Sequence, residues 1–218
     1  MTNISSIPSH MAATPSIDSQ TTAEARWSFP VPRTGFVGQW DRFIGPGATR
    51  AEIWLILGAS VFGGVLPLFY ALSYAPGWSI IQLIVAVCIG LDLWGGVVAN
   101  ATSTTKRWYH RAGQGFVQHL LFVCAHILHI ALLVWLFRSL DWYFAGVIGG
   151  YLLITTLLIL KAPLYLRRPL ALLVSCGALI LNSDVVSPTS GLEWFVPVLF
   201  LKLIIGHIVP EEPYLSTE

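Results

Sequence analysis

Apolar stretches long enough to cross a lipid bilayer recur along this chain, and their recurrence limits its fold more than any motif does. Residues 78–100, WSIIQLIVAVCIGLDLWGGVVAN, contain a single charged residue, Asp92. A helix needs roughly 17–25 mostly apolar residues to cross a hydrocarbon core of about 30 Å. The runs are continuous and do not alternate polar with apolar, which argues against a membrane β-barrel. Charged residues are 11% of the chain, against about 25% in soluble domains. The expected class is therefore all-α: a polytopic integral membrane bundle.

Six spans are expected, at about 52–74, 78–100, 115–138, 142–161, 169–182 and 192–209. Short links make consecutive spans antiparallel neighbours. The fifth is short for a full crossing, and Pro163 and Pro169 crowd its start. Four regions follow: a polar, disordered tail over 1–25, an aromatic and basic segment over 26–50, the transmembrane domain over 51–210, and a short acidic tail over 211–218. The tail lacks a basic start followed by an apolar core, so it is not a signal peptide. The second region mixes Trp27, Phe29, Phe36, Trp40 and Phe43 with Arg26, Arg33, Arg42 and Arg50. That mixture suits a segment lying in the headgroup layer, or a loop packed on the bundle.

Charge between the spans sets an expected orientation. Lys106, Arg107 and Arg111 fall in one connection, and Lys161, Arg167 and Arg168 in another. The alternate connections have no excess of basic residues: Arg138 is balanced by Asp141, and 183–193 carries only Asp184 and Glu193. Cytoplasmic loops collect Lys and Arg, so both termini are expected in the cytoplasm. The acceptor-like triplets at Asn3 and Asn100 would then escape glycosylation. Small residues four apart mark faces of close helix approach: Ala59 with Gly63, Ser60 with Gly64, and Gly146 with Gly150. Cys88, Cys124 and Cys176 all fall within spans and read as small buried thiols. No basic patch is large enough for nucleic acid.

Ionisable groups inside a bilayer cost roughly 2.5–3.5 kcal/mol at mid-helix on insertion scales, so each needs a partner or a role. The third span contains HLLFVCAHILHI, which places Gln118, His119, His126 and His129 within one arc of about 100°. His119 and His129 are about 15 Å apart along the axis, too far to share an ion, whereas His126 and His129 are one turn apart. On the second span Asp92, Gly96 and Asn100 follow one stripe at four-residue spacing. Gly96 leaves room beside Asp92 for another chain or a ligand, and Asp92 is expected to pair with a histidine. The sixth span adds Lys202, able to pair with an acid, and His207. Two polar layers result. Asn100, His110, His119 and His207 gather at the cytoplasmic mouth, and Asp92 lies with His126 or His129 at mid-membrane.

The candidate catalytic residues are Asp92, Asn100, His119, His126, His129 and His207. In one reading they form a membrane-embedded enzyme site. Asp92 and a histidine exchange protons, Asn100 orients the substrate, and the substrate is a lipid-like or polycyclic small molecule. The alternatives are a small-solute transporter or channel, a six-helix b-type haem protein, and a non-catalytic bundle in which these groups are interhelical hydrogen-bond partners. The expected partners are the lipid bilayer and, in the enzyme reading, a hydrophobic substrate. No cofactor is identified. HILH is only HxxH, and the six histidines of the whole chain are too few for the multi-box diiron pattern. Nucleotide loops, serine elbows and HExxH are not found.

Overall fold

A computed structural model describes residues 30–74 and 76–211. The polar tail, the Asn3 triplet, residues 26–29 and the acidic tail beyond Glu211 lie outside the described residues. Eight helices follow in order: α1 (Gly35–Ile44), α2 (Arg50–Tyr74), α3 (Ile80–Ala101), α4 (Ser103–Tyr109), α5 (Phe116–Phe137), α6 (Trp142–Lys161), α7 (Leu164–Val185) and α8 (Phe195–Ile208). The described residues contain no strand. α2, α3, α5, α6 and α7 are long and apolar enough to cross a membrane, and α8 is shorter.

Local chemistry starts these helices where the sequence allows. Ser79 and Gln82 form a reciprocal capping box at the head of α3, and Thr49 with Glu52 does the same at the head of α2. α7 begins at Leu164 and keeps Pro169 inside its first two turns, so the fifth span is of full length. The start expected at 169 was too late. Pro169 is the sixth residue of the helix, so α7 gives up the bond to Tyr165 O that an N–H there would make and continues through it. Arg167 and Arg168 therefore lie on α7 and not in a loop, and Arg167 donates to the carbonyls of Leu160 and Ala162. The connection after α3 is likewise helical, as α4.

α1 docks on α4 through side chains that satisfy its last carbonyls. Thr105 donates to Ile44 O at 2.5 Å, Trp108 to Arg42 O at 2.9 Å and Tyr109 to Phe43 O at 3.2 Å. Those carbonyls have no partner within the helix. Gly45 turns the chain away at φ +87°, and a side chain there would meet the Thr104 backbone. Arg33 closes the other end, placing its guanidinium on both oxygens of Asp41 at 2.6 and 2.9 Å. The Arg33 hydrogen bonds pull the Asp41 carboxyl down to about 2. Phe36 and Phe43 remain exposed.

α2 and α3 approach backbone to backbone. A methyl on Gly63 would overlap Gly90 O and Trp94, and one on Gly95 would overlap the Ser60 side chain. The small-residue face expected on the first span is thus the contact with α3. Gly146 and Gly150 are not such a face, because a methyl on either would meet open space. Gly146 lies within a π-helical turn, Ala145–Gly149, of α6, and Gly150 follows it. The three cysteines are exposed on the outer surface, not buried. Thiols are apolar enough to face lipid without a partner.

The shortest of the six apolar bundle helices occupies the middle. α8 packs against α3, α5, α6 and α7, and nearly all its residues are buried. A helix apolar on every face is stable only when surrounded. Its second half, Leu201–Ile208, is π-helical, a geometry often found at functional sites, and it carries Lys202 and His207.

Candidate intramembrane polar site

Asp92 of α3, His129 of α5 and Lys202 of α8 meet midway along the bundle. Lys202 Nζ lies 2.5 Å from Asp92 Oδ2, and His129 Nε2 lies 3.0 Å from the same oxygen. Nζ also donates to the Asp92 carbonyl at 3.3 Å. The Lys202 stem crosses Gly96, where any Cβ would overlap it. The space read beside Asp92 in the sequence is therefore filled by lysine. Asn100, two turns beyond Asp92, donates to Lys202 O at 3.2 Å and packs its Cβ near Gly206. It tethers α8 through the Lys202 backbone and does not touch the Asp92 carboxylate.

Exposure divides this group. Lys202 is 2% exposed, whereas the Asp92 side chain is 35% exposed although it sits mid-span. Cys88, one turn before Asp92 on α3, is exposed, and so is Ala125, one turn before His129 on α5. The carboxylate thus borders the outer surfaces of α3 and α5. Both side-chain donors use Oδ2. Among the described residues the side-chain contacts of the carboxylate are to Oδ2, and none is to Oδ1. His129 Nδ1 is buried without a hydrogen-bond partner among them. Since Nε2 donates to a carboxylate, neutral His129 keeps its lone pair on Nδ1.

His126 stacks on His129, with ring centres 5.1 Å apart and planes within 11°. Its Nδ1 lies 2.7 Å from Phe122 O, while its own amide donates to Val123 O. A carbonyl only accepts, so Nδ1 carries the proton. The imidazole takes over a carbonyl that the regular α ladder would have bonded, and α5 is interrupted there between Ala125 and Ile127. His126 therefore bonds within α5, and His129 is the histidine that reaches Asp92.

A second group closes the end of the bundle near α4. His119 Nδ1 lies 3.0 Å from His207 Nε2, and His110 Nε2 donates to His207 O at 2.9 Å. The His110 and His119 rings stack at 4.4 Å. Phe122 lies flat on His207 at 3.8 Å and contacts His126 at 4.7 Å. Its ring bridges the two layers, and its carbonyl takes the His126 hydrogen bond. His207 Nδ1 is buried without a partner among the described residues.

Lys202, able to pair with an acid, joins the site although it is not among the candidate catalytic residues. The signal was Gly96, one turn from Asp92, which is where a long side chain from another helix fits. Phe122 carried no signal, since an apolar ring on a span is ordinary. No group of three or more His, Cys, Asp or Glu among the described residues is placed to hold a metal ion. The His119 and His207 nitrogens face each other too closely for a haem to lie between them.

Five spanning-length apolar helices in an all-helical bundle define the class: a multi-pass integral membrane protein. No family model matches the chain, and no curated protein or solved structure matches it either.

Proposed function

We propose that this protein is a membrane-embedded enzyme whose proton-transfer group is Asp92, acting on a lipid-like or polycyclic substrate that arrives laterally between α3 and α5. The observation that carries this reading is the half-buried Asp92 carboxylate at the outer edge of α3, with both side-chain donors on Oδ2. Oδ1 takes a proton from the substrate or returns it. Lys202 and His129 fix the carboxylate and stabilise charge that develops beside it. His126 packs behind His129. His119 and His207 form the aqueous end of the polar stripe, from which protons are resupplied. The stripe runs from the α4 end to mid-bundle, and at the other end of α5 Arg138 and Asp141 are paired with each other at 2.8 Å. A path that stops halfway suits an enzyme better than a transporter, which needs access from both sides. In this reading the α4 end and both termini are cytoplasmic, and α1 lies at the headgroup layer with Phe36 and Phe43 outward.

The test is conversion of lipids. Purified protein is incubated with a lipid extract of its native membranes, and the products are followed by mass spectrometry. Wild type should deplete one lipid class, and Asp92→Asn should abolish the loss by a factor of about 10² or more. Equal turnover by Asp92→Asn would exclude the assigned role. Proton-coupled solute flux in proteoliposomes that depends on Asp92, with no lipid changed, would replace the enzyme with a transporter. If neither activity appears, the Lys202–Asp92 pair is structural, since a lysine so buried needs a counter-ion whatever the function.

A further inference from the structure

At the α4 end, a pocket of about 280 Å³ opens on the flank formed by α4, α7 and the end of α8. Its lining includes Lys106, Arg168 and Glu211, with Ala171, Leu172 and Ile205 as an apolar wall. Lys106 Nζ donates to Ile205 O at 3.2 Å and Val209 O at 2.6 Å, and Arg168 donates to Pro210 O at 3.4 Å. Among the described residues, the hydrogen bonds of both cations go only to carbonyls. The one carboxylate in the lining, Glu211, is bonded by Ser103 at 2.5 Å and faces Arg107 at 3.6 Å. The lining thus carries two positive charges against one negative charge, and that one is already shared.

We propose that this pocket binds the phosphate headgroup of an anionic membrane lipid, with Lys106 and Arg168 as its cationic ligands. Three features support a lipid over a free ion. The pocket has room for about nine waters at roughly 30 Å³ each, more than a lone phosphate fills. Its apolar wall continues onto the outer surface of α7, where Leu172 is 58% exposed and an acyl chain can lie. It also sits at the end of the spanning helices, at headgroup depth, where basic pockets between helices take anionic lipids. Burial holds the Lys106 ammonium down to about 8, with Glu211 opposing this and Arg168 adding to it. An anion between the two cations removes their repulsion. The proposal is independent of any enzyme activity, because it needs neither Asp92 nor the histidines.

Native mass spectrometry of the full chain in detergent tests it, with phosphatidylglycerol, phosphatidylcholine and inorganic phosphate as probes. Wild type should retain phosphatidylglycerol in preference to phosphatidylcholine, and excess inorganic phosphate should not displace it. Arg168→Gln should weaken retention about fivefold, and adding Lys106→Gln should weaken it about fivefold more. Lys161→Gln, outside the pocket lining, should leave retention unchanged. Arg168 is exposed and makes one long hydrogen bond, so its variant should fold even where Lys106→Gln does not. Equal retention by Arg168→Gln, equal affinity for phosphatidylcholine, or displacement by inorganic phosphate would each overturn the proposal.

Discussion

Replacing Asp92 by asparagine should destabilise the bundle by about 3 kcal/mol, because Lys202 would stay buried without its counter-ion. Denaturant unfolding in detergent measures this. The double variant Asp92→Asn with Lys202→Met should recover most of the loss, since a neutral pair carries no desolvation cost. A double variant no more stable than Asp92→Asn alone would show that the two side chains do not interact. Gly96→Ala should cost about 1–3 kcal/mol by pushing the Lys202 stem off its seat, and Lys202→Met should soften that penalty. At this scale the sequence was informative about type and poor about partner. An acid in mid-span announces a buried counter-group. Which of His126, His129 and Lys202 supplies it depends on helix rotation and on the π-helical turn in α8, and neither is encoded in the spacing of polar residues.

The docking of α1 depends on acid titration in a defined direction. The Asp41 carboxyl is held near 2, below its ordinary 3.8. Its contribution is therefore complete above about pH 4 and is lost as pH falls through about 2. Pepsin cleavage at the exposed Phe36 and Phe43 should stay slow until about pH 2, whereas Arg33→Ala should be cut readily well above that. The α2–α3 pair answers to sterics instead. Gly90→Ala would drive a methyl into the Gly63 backbone, so the helices must part at about 1–3 kcal/mol, with loss of a Ser60→Cys to Gly95→Cys cross-link. The face of α2 was legible because small residues four apart rarely serve another purpose on a lipid-facing helix. The same pattern misled at Gly146 and Gly150, where it coincides with a π-helical turn and no neighbour approaches. Pro169 hides the true start of α7, because a proline usually marks a helix boundary and here the helix runs through it from Leu164.

For the whole molecule, class followed from apolar length, since hydrocarbon solvates no backbone polar group outside a helix or closed barrel; of the six expected spans, five are long enough to cross and α8 is shorter. Arrangement did not follow, because hydropathy says that a helix is apolar and not whether it faces lipid or protein. Cys88, Cys124 and Cys176 show the difference: all lie on spans, and all face outward. In bilayers a charged maleimide should leave the three thiols unmodified, and after denaturation in detergent it should label all three. Labelling of any of them in sealed vesicles would place that helix in water. α8, meanwhile, is made by the ribosome after the five longer helices that pack around or beside it. The earlier helices must reach the membrane with their centre vacant, and Asp92 waits there without its cation. Chain order and spatial order run in opposite directions, so the bundle is completed by the arrival of its own axis. A ribosome stalled before Phe195 would leave a ring of helices around a hole with a carboxylate on its wall, a species for membrane quality control to recognise.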